Sequence, residues 1–566
     1  MELTKRQQIM TRFGQLKSER ATWWAHWAEL TAYLAPMQGR YFTSDRNKGQ
    51  KRYGNIYDNT ASRGLSVLAA GLMGGLTSPS RPWFRLATSD PDLNAVPAVK
   101  QWLSDVTNLM LTVFQKSNTY RALHNLYREL GAFGTAACVV TEDYQDMIHL
   151  HPLTIGQYCI ATNFQGRAEA LYREFDMTVA QLVGEFGIDK VSESVKSMYE
   201  RGTLDSWIKV VHVIEPRRDR NPKMIDAKNM AWSDIYMEMA GSDDQFLRES
   251  GHKSFNVLAP RWDVQGGDIY GNSPGMEALG DIKQLQHEQL RKAQAVDLMV
   301  NPPLQVPTSY KNRDVERFPG GITFVDTVGT TKAIQTAYDV NLRLDYLLQD
   351  IQDVRSRINN AFYVDLFMMI SQDNASTTRM TATEVAERHE EKMLMLGPVL
   401  ERLQDELLDP LIDLTFNRMI DAGVLPPTPQ ELAGKELSVE LVSMLAQAQR
   451  AVATNGVDRF MMALGQVAQF KPEVLDKLDT DKWADEYSDM LGVPPDLVVP
   501  QDQVDALRQQ RAKAQQQAQQ QQNALAASQT AKNLGQTPTS GGNAASDMLN
   551  MFSQGMSSDQ SPAQGQ

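Results

Sequence analysis

Histidine, cysteine and paired carboxylates are where catalysis or metal binding would sit in this chain, and their spacing gives little. His287 and Glu288 begin like a helical zinc motif, but Arg291 stands where the second histidine would be needed. His149 and His151 share one face of a predicted strand with no acidic or cysteine partner nearby, so packing is favoured over metal ligation. Cys138 and Cys159 are the only cysteines, which excludes a disulfide framework and a cysteine-rich zinc site and fits a reducing compartment. Val328 to Lys332 lacks the first glycine and the final Ser/Thr of a phosphate loop, and no G-x-S-x-G elbow occurs. Asp350 with Asp353 and Glu390 with Glu391 read as solvated helix faces. The expectation is a protein that is not an enzyme and has no cofactor and no metal.

The elements carrying these residues are more informative. From Pro260 to Pro307 a glycine-bearing loop feeds one long helix: Ser273 and Pro274 suit its start, and Pro302-Pro303 stops it. At about 100° per residue, Leu279, Ile282, Leu285, Leu290, Ala293 and Val296 fall within an arc of roughly 140°. Gln284, His287, Glu288, Arg291 and Gln294 form the opposite, wet face. A second long helix is expected from Tyr338 to Met369, with Leu344, Leu347, Leu348, Ile351, Val354, Ile358, Ala361 and Phe362 on one side. Between the two lie short β-type pieces around a polar turn, Tyr310 to Pro319.

Before this pair, Leu3 to Leu34 reads as a helix with an aromatic face, Trp23, Trp24, Trp27 and Leu30, fit for core or subunit contact. Gln38 to Gly54 is a basic loop. Asp58 or Asn59 can cap a helix from Thr60 to Leu76, in which Gly71, Gly74 and Gly75 give a flat side for close packing. Further helices fit Ala98 to Gln115 and Tyr120 to Gly131. Alternating strands then run from Gly134 to Pro260 around a helical interlude, Val179 to Arg201. After the second long helix, Ser371 to Thr378 is a polar loop. Thr381 and Glu384 can cap a third helix, kinked at Gly397-Pro398, bent near Pro410 and closed at Gly423. Short helices are expected from 430 to 500, then a Gln/Ala-rich partial helix running into disorder.

With 566 residues the chain has room for three or four domains, and its charge of −13 would repel nucleic acid as a whole, so any DNA contact is local or loose. The N-terminus is charged from the outset, with no secretory signal expected. The most apolar run, Gly64 to Leu76, is too short for the ~20 residues of a membrane span.

Three stretches carry a family resemblance: DIYGNSPGMEALGDIKQLQHEQL, IYDNTASRGLSVLAAGLMGGLTSPSRPWFRL and TRMTATEVAERHEEKMLMLGPVLERL, in that family's order across about residues 5 to 425. They resemble portal proteins, the head-to-tail connectors of short-tailed bacteriophages. The resemblance implies an α+β portal fold: a mixed wing (1–270, with the kinked helix 380–424), two stem helices (271–300 and 337–369), a small β-containing clip (301–336), a tunnel loop (370–379), a helical crown (425–500) and a Gln-rich tail (501–566). It implies a homo-oligomeric ring, usually dodecameric, at one capsid vertex of the virion. Double-stranded DNA would pass through it, and its partners would be the terminase motor, tail adaptors, and capsid and scaffolding proteins.

On this resemblance Ser371, Gln372, Asp373, Asn374, Ala375, Ser376, Thr377 and Thr378 would face the channel, with Lys283, His287, Arg291, Lys292, Arg355 and Arg357 as candidate channel cations. Tyr310, Lys311, Asn312 and Arg313 would dock partners, and Leu279, Ile282, Leu285, Leu290, Leu347 and Ile351 would pack subunits. The alternatives are a tail or adaptor ring protein and an enzymatic component of the packaging machine. The missing phosphate loop argues against an ATPase, and the length and three-segment match argue against an adaptor.

Overall fold

The computed structural model describes residues 3–535 apart from 41–48, 50–51, 91–92, 94–95, 222, 225, 242–244, 301–303, 306–334, 337–344, 372–395, 433, 436, 443–459, 468–469, 472–477, 492–498 and 500. The architecture is mixed α+β, and the chain divides into two units, Met1–Asp479 with Met490–Gly492, and Thr480–Asp489 with Val493–Gln566.

The first unit opens with α1 (Lys5–Tyr33), started by a capping box between Thr4 and Gln7. Helix α2 is Thr60–Leu76 and β1 is Phe84–Thr88; α3 (Pro97–Lys116) and α4 (Thr119–Phe133) follow. The strand region holds β2 (Ala137–Asp143), β3 (Met147–Leu153), β4 (Tyr158–Thr162) and β5 (Ala168–Thr178), then α5 (Val179–Phe186) and α6 (Glu193–Glu200). It continues with β6 (Trp207–Pro216), β7 (Trp232–Glu238), β8 (Arg248–His252) and β9 (Val257–Leu258).

The strands build a five-stranded antiparallel sheet, β4-β5-β6-β7-β8, and a smaller β3-β2-β9 sheet. Alternation along β6 explains why the larger sheet is covered on both faces. Val211 and Val213 pack with Ile9, Phe13 and Leu16 of α1, while Val210 packs with Val179 and Leu182 of α5 and Val195 of α6. The main core lies beyond this sheet, where α2, α3 and α4 pack together with β2 and β3.

The loop before Ser273 docks onto this core. Tyr270 meets Trp27 edge-on at 5.1 Å, so the aromatic face of α1 is core packing. Gly134, at φ 72°, lies so close to Gly271 that a Cβ there would stand 2.2 Å from the Gly271 carbonyl oxygen. Ser273 caps the short helix α7 (Pro274–Glu277), and α8 (Leu279–Val300) continues from it. The returning helix differs from the expectation of one continuous rod. It is α9 (Asp345–Ala361), then a break at Tyr363 with φ 55°, then α10 (Val364–Ser371). Phe362 and Phe367, on either side of the break, sit against α2. A Cβ at Gly64 would come within 3.1 Å of Phe362, and one at Gly71 within 2.2 Å of Phe367. The flat side of α2 is therefore built from Gly64 and Gly71; Gly74 has nothing within 4 Å.

Between α8 and α9, β10 (Leu304–Gln305) pairs with β11 (Gln335–Thr336). The kinked helix α11 spans 396–421, with a π-helical turn at Gln404–Leu408 just before Pro410, and the chain leaves it through Gly423 at φ 65°. The stretch 425–500, expected to be helical, contains β12 (Leu437–Leu441), which pairs antiparallel with β1. In the second unit Arg508, on the helix Gln501–Gly535, donates to Asp481 at 2.6 Å, and Trp483 stacks on Tyr487. Residues 536–566, expected to be disordered, lie outside the described residues.

Candidate stem site

Helices α8 and α9 leave the core through one buried polar knot. Gln286 of α8 accepts the N–H groups of Tyr57 (2.6 Å) and Asp58 (2.9 Å) and donates to the Asp58 carbonyl. The buried Asp58 carboxylate accepts from Gln289 of α8 (3.0 Å), from Arg355 of α9 (2.6 Å) and from Thr60, the first residue of α2. Burial works to raise this carboxyl, but the bonds from Thr60 and Arg355 hold it below its ordinary value. Asp58 thus ties both α8 and α9 to the start of α2, and Arg355 is committed to it.

The other candidate cations divide into paired and open. Lys283 reaches Glu29 of α1 at 3.2 Å, and Arg357 bridges Asp281 of α8 (3.2 Å) and Asp353 (2.8 Å). Arg291 donates to Gln294, one turn on. Among the described residues His287, Arg291 and Lys292 have no ion-pair partner, and His287 is exposed. Glu288, placed on the wet face by periodicity, is buried against α9. Its burial, reinforced by Asp350, raises its carboxyl, while Gln284 donates to it at 2.6 Å.

The six proposed subunit-packing positions separate in the same way. Leu279, Ile282, Leu285 and Ile351 are buried in the chain's own core, where α2 and the returning helix cover them. Leu290 and Leu347 are half-buried. Beyond them Val296, Leu298, Met299 and Val300 on α8, and Tyr346 and Leu348 on α9, are exposed. Of the tunnel-loop residues, Ser371 ends α10; Gln372, Asp373, Asn374, Ala375, Ser376, Thr377 and Thr378 lie outside the described residues, as do Tyr310, Lys311, Asn312 and Arg313.

His149, His151 and both cysteines lie in the strand region. His149 and His151 lie side by side, rings 4.6 Å apart, and burial pushes the His151 imidazole down to about 4. Cys138 and Cys159 are both buried, and burial raises both thiols. Among the described residues no cluster of three His, Cys, Asp or Glu could hold a metal, and no helix is long and apolar enough to cross a membrane.

Sequence reading missed one buried network. Arg173 of β5 donates to His212 Nδ1 at 2.8 Å, so Nε2 carries the proton that His212 of β6 gives to Asp234 of β7 at 2.6 Å. His252 of β8 adds a further contact to Asp234 at 3.3 Å, and Tyr236 stacks on His212 at 3.9 Å. The only sequence signal is a polar residue in each of four strands, which no single-strand pattern connects.

Residues 6–499 match the family described as "Bacteriophage head to tail connecting protein". The chain is 57% identical over 98% of its length, and 99% of the relative's, to a "Probable portal protein" of Bordetella phage BPP-1. It is 45% identical over 95% of its length, and 97% of the relative's, to a "Portal protein" of Salmonella phage epsilon15. Among solved structures, a chain of the virion of a native gene transfer agent particle aligns with 83% of this chain and 99% of its own, at 10% identity and a TM-score of 0.35. A match over nearly the whole sequence, with relatives this similar end to end, means that the chain belongs to the bacteriophage head-to-tail connecting, or portal, protein family, structural components of the virion at the head-tail junction.

Proposed function

We propose that copies of this chain form a closed ring, dodecameric in the virion, at one capsid vertex, with double-stranded DNA passing through its centre during packaging and ejection. Helices α8 and α9 form the stem, residues 301–336 the clip and 371–378 the channel-facing loop. The remaining chain forms the wing (1–270 with 380–424), the crown (425–500) and the tail (501–566). The clip docks the packaging terminase and then the tail adaptor, while capsid and scaffolding proteins meet the ring elsewhere.

The observation that carries this reading is the apolar far end of the stem. A helix pair held to the core at Asp58 runs on to an end where Val296, Leu298, Met299, Val300, Tyr346 and Leu348 are exposed in the single chain. Neighbouring copies in a ring would cover them. A net charge of −13 suits a channel wall, because each cation on phosphate adds affinity and would slow sliding DNA. His287, Arg291 and Lys292 are the candidate cations left without an ion-pair partner among the described residues, so DNA contact in the stem would be sparse.

Electron microscopy of the purified protein tests the reading. Rings with a central hole are expected, and a monodisperse monomer of 63.4 kDa under all conditions would overturn it. For the channel loop, Asp373 and Asn374 replaced by bulky residues should leave rings intact and reduce packaged DNA; an unchanged genome content would remove that assignment.

A further inference from the structure

Two hairpins of the wing are built alike. In the β2–β3 turn, Asp143 Oδ1 accepts the N–H groups of Gln145 (2.7 Å) and Asp146 (3.3 Å), and Met147 takes φ 73°. In the β4–β5 turn, Asn163 Oδ1 accepts those of Gln165 (2.9 Å) and Arg167 (3.0 Å), and Gly166 takes φ 79°. Each turn runs Asx, aromatic, Gln, and each leaves its aromatic bare: Tyr144 is fully exposed and Phe164 is 96% exposed. A turn fixed by its own side chain holds the ring in place before any partner arrives, so little ordering entropy remains to be lost on contact. Rigid exposed aromatics of this kind are the usual anchors of protein interfaces.

The two tips differ in charge and in what lies beside them. Tyr144 stands among Asp143, Asp146 and Glu142, and Glu142 pairs with Arg418 of α11. Hydrogen bonds from the Gln145 and Asp146 backbone lower the Asp143 carboxyl. Phe164 precedes the exposed Arg167, and next to that turn opens a cavity of about 560 Å³ with an apolar wall of Phe255, Val257 and Ala259. Arg167, Arg261 and Arg402 line it, and so do Glu401, Asp405 and Glu406; Glu406 pairs with both Arg261 and Arg402, so an acidic hairpin fits only with its carboxylates turned toward Arg167. Helix α11 lines the cavity from Pro398 to Pro410 and meets the Tyr144 hairpin through Arg418, eight residues and about 12 Å further along.

We propose that Tyr144 of one copy seats in the cavity beside Phe164 of the next, with Asp143 and Asp146 facing Arg167. Knob and cavity are different surfaces of the same chain, so the contact is head-to-tail and repeats around a ring. This rests on the ring reading above and names one of its contacts.

The test is a Tyr144→Cys/Phe164→Cys double variant, oxidised and run on a non-reducing denaturing gel. Both native cysteines are buried, so the background is low. Only bonds between copies add chain mass on a denaturing gel, so multimer bands report the contact and a bond within one chain leaves a monomer band. A ladder up to the full ring is expected, with single variants giving at most pairs. Rings intact by electron microscopy but without the ladder would overturn the contact, whereas wild-type protein that forms no rings would overturn the ring reading instead. Tyr144→Ala should raise the concentration for half-assembly at least roughly tenfold, with Tyr144→Phe close to wild type. Tyr144→Ala rings that assemble normally, yet fail to enter heads, would assign the tip to another virion protein and overturn the proposal.

Discussion

The wing sheet and the far half of the stem solve the burial problem in opposite ways. In the wing, α1 and the α5–α6 pair cover both faces of the sheet, and even its buried histidine has a donor on one nitrogen and an acceptor on the other. Along α8 the same apolar stripe begins buried at Leu279, Ile282 and Leu285 and ends exposed at Val296 and Val300. Damage in a region the chain has closed should appear as subunit instability. Damage in the open region should appear only when copies meet.

The largest test of that contrast sets Leu285→Asp against Met299→Asp. A charge at the fully buried Leu285 should cost about 4–5 kcal/mol, giving insoluble or unfolded subunits, while Met299→Asp should leave subunit melting within about 0.5 kcal/mol and reduce ring yield. Equal effects on melting would erase the distinction.

Acid should act next, and on the wing. Burial, then the Arg173 guanidinium, push the His212 imidazole down to about 4 from its ordinary 6.5. The unfolded chain therefore binds the extra proton first, and stability falls as pH drops from about 6.5 to 4, by about 3 kcal/mol in all. Denaturant unfolding of His212→Gln across that window should show a flatter profile; an unchanged slope would dismiss His212 as the source.

At the junction of the two regions, Asp58→Asn should cost about 2 kcal/mol, the partial exposure of Arg355 reducing what a fully buried pair would lose. The Asp58 carboxyl is held below its unfolded value near 3.9, so its contribution is present above that pH and fades as pH falls through the folded value. Hydrogen exchange in α8 and α9 should rise in the variant at neutral pH and match wild type in strong acid. The smallest effect is expected at Gly74, where open space around the added Cβ means that Gly74→Ala should raise stability by about 0.5–1 kcal/mol, measured by thermal unfolding.

Much of the wing was legible in the sequence because alternation reports burial directly. The run Trp207 to Pro216, inside the stretch expected to alternate, forms β6, and Pro302-Pro303 follows the end of α8 at Val300. The stem's division was not legible, since Leu285 and Val296 occupy the same stripe and periodicity does not say how far the partner extends. Nor was the break at Tyr363, because apolar residues continue across it from Ile358 to Phe367 and no glycine or proline marks the turn. The Asp58–Arg355 pair joins residues 297 apart, beyond the reach of any local pattern.

The pairing of β1 with β12 has a consequence during synthesis. Arg85 and Glu440, facing each other across that ladder, are 355 residues apart in sequence. At ~5–20 residues per second, β1 leaves the ribosome roughly 20–70 s before its partner exists, and through that interval its edge can pair with other chains. Truncated or stalled products lack the strand that closes this edge. A host chaperone that shields nascent β1 would therefore guard the subunit at its most aggregation-prone stage, and a chain completed through Leu441 carries its own shield.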